Sequence, residues 1–306
     1  MKDFKIHFLN TIWSDCMLLE YDQHYGFVDT ASPFYFDMID KYLKELKIKK
    51  LDFIILTHFH HDHYGNIKRI MENYEVDKLY MKHYYNVEGS NSAGTDSDDE
   101  YLMNEQRKYL EIVKNAYNKI IYLDQLKQKY YQVPFYDVLI ELYDLESHLY
   151  NVYNDINSPY YHKFMFNENY NSMAIYVNYL NHHIYLGGDI PDTNNEIKEF
   201  NHLGLKAVKN IKKNHQITSF DVVKAPHHGT PYFTTKEVIE ELQPKHLIIT
   251  NTNRWLDNYH TIDMVKEIVK DCKIYQTDHQ KYIFIFNEEL KIDKILDESP
   301  FFIYGD

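Results

Sequence analysis

An apolar run at residues 51–56 leads directly into Thr57-His58-Phe59-His60-His61-Asp62-His63-Tyr64-Gly65-Asn66. Few sequence features restrict a fold as strongly, because four metal donors within six residues must reach one point from the end of a buried strand. Imidazole nitrogen and carboxylate oxygen suit zinc and similar divalent ions, and the order H-x-H-x-D-H lets one short loop serve two of them. In that spacing His58 and His60 face one ion, while Asp62 and His63 reach the other. Eighteen histidines in 306 residues will sometimes cluster by chance, but here the ligand order, the strand before it and the glycine after it fit a catalytic loop.

The rest of the chain is compatible with one large core. Hydrophobic residues make up 44% of 306 positions, and nine glycines with eight prolines leave little for long linkers. The whole length, 1–306, reads as one domain, with 147–169 as an insert or lid. A formal charge of −13 argues against extended nucleic-acid binding, which needs a basic stripe along the phosphates. A short anionic substrate held by metal ions remains compatible with it. The thirty tyrosines accompany abundant Asn, Lys and Ile, a bias of AT-rich codons, although aromatic faces also suit an organic cation. Cys16 and Cys272 form neither a disulfide framework nor a C-x-x-C pair. No leader-like apolar segment opens the sequence and no membrane-length apolar run occurs, so the expectation is a soluble cytoplasmic protein, a secreted mature form remaining open. No protein partner is legible.

Short β-branched or aromatic runs at 5–9, 16–21 and 25–29 predict a meander of strands. Ser32-Pro33 opens a helix to residue 47, with Phe36, Ile39, Tyr42, Leu43 and Leu46 at helical spacing, and 51–56 follows as a buried strand. After the histidine loop, 67–74 and 99–117 read as helices, 78–81 and 120–123 as strands, and 90–99 as an exposed acidic loop. Strands are expected at 137–144, 173–180 and 183–186, the last two joined by Asn181-His182. Two strand-helix units come next, 221–225 with 235–242 and 247–250 with 262–270, before strands at 273–276 and 282–286. Residues 147–169 fit no element. This order predicts an α/β (α+β) fold in which two sheets pack face to face with helices outside, an αββα four-layer sandwich whose rim loops gather at one edge.

Two further segments carry donors. Tyr185-Leu186-Gly187-Gly188-Asp189 ends an apolar strand with two glycines and a carboxylate, which suits Asp189 to bridge two ions. Val222-Val223-Lys224-Ala225-Pro226-His227-His228-Gly229-Thr230 repeats the arrangement with a pair of histidines.

Together, H-x-H-x-D-H, strand-G-G-D and strand-x-P-H-H-G-T resemble the metallo-β-lactamase superfamily. Within it, KAPHHGT is similar to the soluble hydrolase domain of DNA-internalisation competence proteins. The order of THFHHDHYGN, IELYD, NENYNSMAIYV, IYLGGD and the loop at Trp255 is similar to the catalytic domain of teichoic-acid phosphorylcholine esterases. The resemblance implies that His58 and His60 bind the first ion, that Asp62, His63 and His227 bind the second, and that Asp189 bridges them. Asp62 and Asp189 thereby belong to the catalytic set. His228 is left to assist departure of the leaving group, and Asp29 and Asn171 stand behind the ligands. Asp15 matches the competence-type pattern, although Ile12-Trp13-Ser14 replaces the glycines expected beside it. Many superfamily members supply a third His to the first ion where this chain has Asn169-Tyr170-Asn171-Ser172, so that ion keeps an open position; His162 is the other ligand candidate.

The implied cofactor is a pair of divalent ions, zinc first, with manganese or iron as alternatives. Such a pair acidifies a shared water to hydroxide, which attacks phosphorus or carbonyl carbon. The leading expectation is a phosphodiesterase of phosphorylcholine-esterase type acting on a small-molecule or phosphodiester substrate. Its rivals are a competence-type nuclease, a hydrolase of carboxylic esters, lactones or amides, and a binding module without catalysis. For substrate contacts the rim loop offers Asn251, Asn253 and Trp255, with His260 and His279 nearby; Trp255 suits a trimethylammonium group.

Overall fold

The computed structural model describes residues 2–85, 96–162, 167–252, 260–278 and 280–296. Fifteen strands form two sheets among these residues. The first has eight strands: β1 (Phe4–Phe8), β2 (Met17–Tyr21), β3 (His24–Val28), β4 (Lys50–Ile55), β5 (Glu75–Met81), β6 (Ile120–Tyr122), β14 (Gln280–Phe286) and β15 (Leu290–Leu296), in the order β15-β14-β1-β2-β3-β4-β5-β6. The second has seven: β7 (Tyr130–Val133), β8 (Leu139–Tyr143), β9 (Ala174–Tyr179), β10 (His182–Gly187), β11 (Phe220–Lys224), β12 (Pro244–Ile249) and β13 (Lys273–Gln276), in the order β13-β12-β11-β10-β9-β8-β7.

Alternation along each strand sends one set of side chains between the sheets and the other outward. Phe4, Ile6 and Phe8 of β1, Met17 and Leu19 of β2, Ile175 and Val177 of β9, and Ile184 and Leu186 of β10 meet in a central core. Behind the first sheet, Leu18, Phe27 and Ile54 pack on α1 (Phe36–Glu45), α3 (Ile67–Asn73) and α4 (Asp96–Ala116) through Ile39, Leu43, Ile70 and Ile112. Behind the second, Tyr176, Tyr185 and Val223 pack on α6 (Leu203–His215), α7 (Lys236–Leu242) and α8 (Thr261–Ile268) through Val208, Ile211, Val238, Leu242 and Val265. The result is the expected αββα sandwich. The helices α2 (His61–Tyr64) and α5 (His148–Asn154) are short pieces at the rim. Among the described residues no helix is long and apolar enough to cross a membrane.

Several local expectations change. The turn between β9 and β10 is Leu180-Asn181, not Asn181-His182; both residues have positive φ, 49° and 63°, the conformation a two-residue hairpin requires. The helix expected from Pro33 begins as a 3-10 turn, Pro33–Tyr35, and turns α-helical only from Phe36. Residues 96–99 belong to α4 rather than to a loop, and 90–95 lie outside the described residues. Within 147–169, α5 and a 3-10 turn at Glu168–Asn171 are formed, and Leu149 and Val152 pack on Phe200.

β3 to β6 run parallel, as do β10 to β13. The carboxyl ends of β3, β4, β10, β11 and β12 deliver Asp29, the histidine loop, Asp189, His227-His228 and Thr250 to one rim.

Candidate metal centre

Asp29 organises the histidine loop. Its Oδ1 accepts from the Thr57 amide at 2.8 Å and its Oδ2 from the Thr57 hydroxyl at 2.8 Å, while His63 Nδ1 lies 2.8 Å from the same Oδ2. One buried carboxylate thus fixes both ends of the Thr57–His63 loop and directs His63 Nε2 toward the centre. Backbone contacts complete the clamp: the Thr30 amide and hydroxyl donate to the His63 carbonyl at 2.7 and 2.9 Å, and the Ser14 hydroxyl and Asp15 amide donate to the Asp62 carbonyl at 2.9 and 3.2 Å. The amide of Asn66 donates to the carbonyls of Thr30 and Ser32 at 2.7 and 2.8 Å, which ties the loop's far end to the same strand exit.

Around Asp189 Oδ2 gather His63 Nε2 at 3.1 Å, His227 Nε2 at 3.5 Å, His58 Nε2 at 3.7 Å and His228 Nε2 at 3.8 Å. His60 Nδ1 is 2.9 Å from His58 Nε2, and Asp62 Oδ2 is 3.2 Å from His228 Nε2. The six side chains expected as ligands, His58, His60, Asp62, His63, Asp189 and His227, therefore lie close together, and His228 joins them. Gly188 permits the convergence, because a Cβ there would stand 2.4 Å from Ser172 Oγ and 2.7 Å from the Met173 carbonyl. Ser172 in turn accepts from the Asp189 amide at 2.8 Å.

The two histidines after Pro226 approach Asp189 from different sides. Both adopt left-handed φ, 45° and 54°, and this double reversal turns His228 inward and leaves His227 on the open side. His228 is fully buried, its Nδ1 2.9 Å from Thr250 Oγ1 and 3.1 Å from Asp15 Oδ1. His227 keeps a quarter of its side chain exposed and packs its ring 3.9 Å from that of Phe233. The compact donor set beside Asp189 is accordingly Asp62, His63 and His228, whose ligand atoms lie within 4.8 Å of one another.

Electrostatics match a cation site. Burial pushes the pKa values of His58 and His60 down, so both stay neutral, the form in which imidazole binds metal. Burial opposes ionisation of Asp189 and Asp62, but the neighbouring histidines hold both carboxyls below the usual range. Against the same desolvation, Asp189, Asp29 and Asp62 raise His63, and Asp15 with Asp189 pushes His228 up to about 9. A divalent cation would meet the same carboxylates. Asp189 Oδ1 is the sharpest sign of fit: it is buried and has no hydrogen-bond partner among the described residues.

Asp15 and Lys224 form a buried ion pair behind His228, and Lys224 Nζ also donates to the Gly187 carbonyl at 3.0 Å. Sequence reasoning missed Lys224, although alternation puts it on the same inward face as Val222, an improbable place for an unpaired lysine. It also passed over Trp13, whose ring stands edge-on to His228 at 5.9 Å.

Other expected residues serve the scaffold. Asn171 accepts from Ser147 at 3.1 Å and donates to Glu168 at 3.2 Å, bracing the start of α5. Asn251 is buried, donates to the His228 carbonyl at 3.3 Å and accepts from the Thr252 amide at 2.8 Å, so it shapes the loop instead of facing a substrate. His260, 79% exposed, precedes α8 and lies 3.9 Å from Asp263. His162 is exposed and touches the rings of Tyr153 and Tyr161. Asn253, Trp255 and His279 lie outside the described residues.

The metallo-β-lactamase superfamily model matches residues 14–133, the stretch holding Asp15, Asp29 and the histidine loop. No curated protein matches the sequence. Among solved structures the chain is similar to unliganded yeast PDE1, at TM-score 0.52 and 10% identity, covering 90% of this chain and 98% of that one. Tm1679, a metal-dependent hydrolase of the β-lactamase superfamily, aligns at TM-score 0.50 and 12% identity over 89% of this chain and 95% of its own. The diiron β-hydroxylase CmlA from Streptomyces venezuelae aligns at TM-score 0.51 and 9% identity over 93% of this chain, which spans only 54% of that protein. At these identities the likenesses establish the fold. Residues 14–133 are thus similar in sequence to the metallo-β-lactamase superfamily, and the chain gathers its donor set on the fold that these structures share.

Proposed function

We propose that this chain is a dinuclear phosphodiester hydrolase whose first ion is held by His58 and His60, whose second is held by Asp62, His63 and His228, and whose ions share Asp189. Zinc is the first choice, since two-nitrogen sets with carboxylate suit it, and manganese or iron fits the same donors. The observation that carries the reading is the buried Asp189 carboxylate with Oδ2 among four imidazoles and Oδ1 unpartnered among the described residues. When bound, two ions supply an acidified water and a Lewis acid for the substrate oxygen.

The side chains do the rest. Asp29 and Asp15 orient His63 and His228 from behind, which fixes the tautomer each presents. His227 on the open side is placed to donate a hydrogen bond to the leaving oxygen, the role first expected of His228. Asn169, Asn171 and Ser172 in place of a further histidine leave room beside His58 for a substrate oxygen. Trp13 gives this rim an aromatic wall that favours an organic cation such as choline on the substrate. The net charge of −13 favours a small substrate over a nucleic acid. A cytoplasmic place accords with two buried free cysteines.

The test is turnover by metal-replete protein on chromogenic phosphodiesters, phosphorylcholine esters, lactones and single-stranded DNA. Phosphodiester cleavage abolished by Asp189→Asn supports the reading. Lactone cleavage without phosphodiester turnover sinks it, and preference for single-stranded DNA assigns the competence-type activity instead.

A further inference from the structure

A second group of donors lies apart from the centre described above, in a cleft of about 470 Å³ between the end of β8 and α6. Glu146, His148 and Glu199 each offer one ligand atom there, all within 4.8 Å of one another. None belongs to the six ligand positions at Asp189. Acidic groups alone would mean little, but His148 is 94% buried by its 6% exposure, and its Nδ1 is buried without a hydrogen-bond partner among the described residues. Its other nitrogen, Nε2, lies 2.9 Å from Asp144 Oδ1. A carboxylate holding one imidazole nitrogen while the other faces two further carboxylates is the arrangement by which proteins fix a histidine for a metal ion.

We propose that Glu146, His148 and Glu199 form an additional divalent-metal site, with Asp144 orienting the histidine. His148 is the rigid member, fixed at the first turn of α5 by packing and by Asp144. The carboxylates are the adaptable members: Glu146 is exposed and the Glu199 side chain is 39% exposed, so small rotations bring their oxygens from the present spacing to coordination distance. One imidazole and two carboxylates select zinc or manganese over magnesium and calcium, which favour oxygen-only sets. The site would link the start of α5 to the segment before α6, two pieces that also meet through Leu149, Val152 and Phe200 and through the Asn151 side-chain amide, which donates to Glu199 Oε1 at 3.2 Å.

In the ion-free chain the imidazole is protonated, because Asp144 and Glu199 outweigh burial and push His148 up to about 9. The charges facing His148 are Asp144, Glu146 and Glu199, opposed by Lys82 and by Lys198 and Lys206 of the cleft.

Equilibrium dialysis of the full chain against Zn2+ alone decides the matter, comparing wild type with Glu146→Gln, Glu199→Gln, their combination and Asp144→Asn. The double variant should bind one equivalent fewer than wild type, whatever number the Asp189 centre holds, which separates this outcome from failure of the proposed function. Asp144→Asn should weaken that one equivalent about 10–100-fold. Both glutamates reach solvent, so their glutamine variants should fold as wild type does, checked by circular dichroism. Equal stoichiometry in wild type and the double variant, or an affinity independent of Asp144, overturns the proposal and leaves His148 as a charged cross-link between its carboxylates.

Discussion

Replacing Lys224 by methionine leaves the Asp15 carboxylate in the sandwich without its ammonium partner. Both side chains are fully buried, so water cannot take the place of the lost charge. Removing one partner of such a pair costs about 3–5 kcal/mol, whereas replacing both is often neutral. Here the lower half of the range applies, because Asp15 keeps the Thr250 hydroxyl at 2.7 Å and His228 Nδ1 at 3.1 Å. Lys224→Met should therefore cost about 3 kcal/mol, a large part of an ordinary domain's stability and a fall of roughly 5 °C in Tm for a chain this size. Asp15→Asn/Lys224→Met should recover most of it, since asparagine still offers an oxygen to Thr250 and His228. The sign with pH follows from Asp15, whose carboxyl is held below its usual range by Lys224 and His228 against burial. Without Lys224, burial raises the Asp15 carboxyl of the folded variant above its unfolded value, so the folded variant takes up a proton that its unfolded chain does not and the penalty of Lys224→Met should shrink as pH falls to 4. Urea unfolding of chelated protein at pH 7.5 and 4 measures both effects. A cost under 1 kcal/mol, or a double variant no more stable than Lys224→Met, would refute the buried pair as the support behind His228.

Gly188→Ala should empty the centre at Asp189 as well as destabilise by about 1–3 kcal/mol, because its Cβ would meet Ser172 Oγ, the Met173 carbonyl and, at 3.0 Å, Thr57 Cβ; metal content near wild type would contradict this. Burial and the nearby Asp62 push Glu105 up to about 7 despite the hydrogen bond from Tyr64, so its folded pKa lies above the unfolded one. Stability tied to neutral Glu105 is present below about pH 4.5 and lost as pH rises through 7, on the order of 2–3 kcal/mol. Glu105→Gln should flatten that loss between pH 4.5 and 7 in urea titrations. Thr235 caps α7 by accepting from the Val238 amide at 3.2 Å, and Thr235→Ala should cost about 1 kcal/mol in the same assay.

The layered fold was legible because strand alternation and helical spacing are strong in the buried elements, such as Phe4, Ile6 and Phe8 or Ile39 and Leu43. Edge strands were less legible. β7 and β15 were not foreseen, since Tyr-Tyr-Gln-Val and Leu-Lys-Ile-Asp-Lys-Ile-Leu sit at sheet edges where exposed positions carry no inward signal. Nor was α6, although Leu203, Ala207, Val208 and Ile211 have helical spacing; its lysine-rich outer face masked the stripe. At the metal centre, the ligand types and their loops could be read from local motifs. Which of His227 and His228 turns inward could not, because it depends on two left-handed residues and on Asp15, more than two hundred positions away. Asn251 looked like a rim contact from its place after β12, yet its backbone bonds bury it.

The central claim is that two ions sit at Asp189, one on His58 and His60 and the other on Asp62, His63 and His228. Anomalous diffraction at the zinc edge from crystals of zinc-replete protein tests it most directly. Two peaks about 3.5–4 Å apart, flanking Asp189 with His228 Nε2 on the second, are the expected result. A single peak, or a second ion held by His227 with His228 detached, would contradict it.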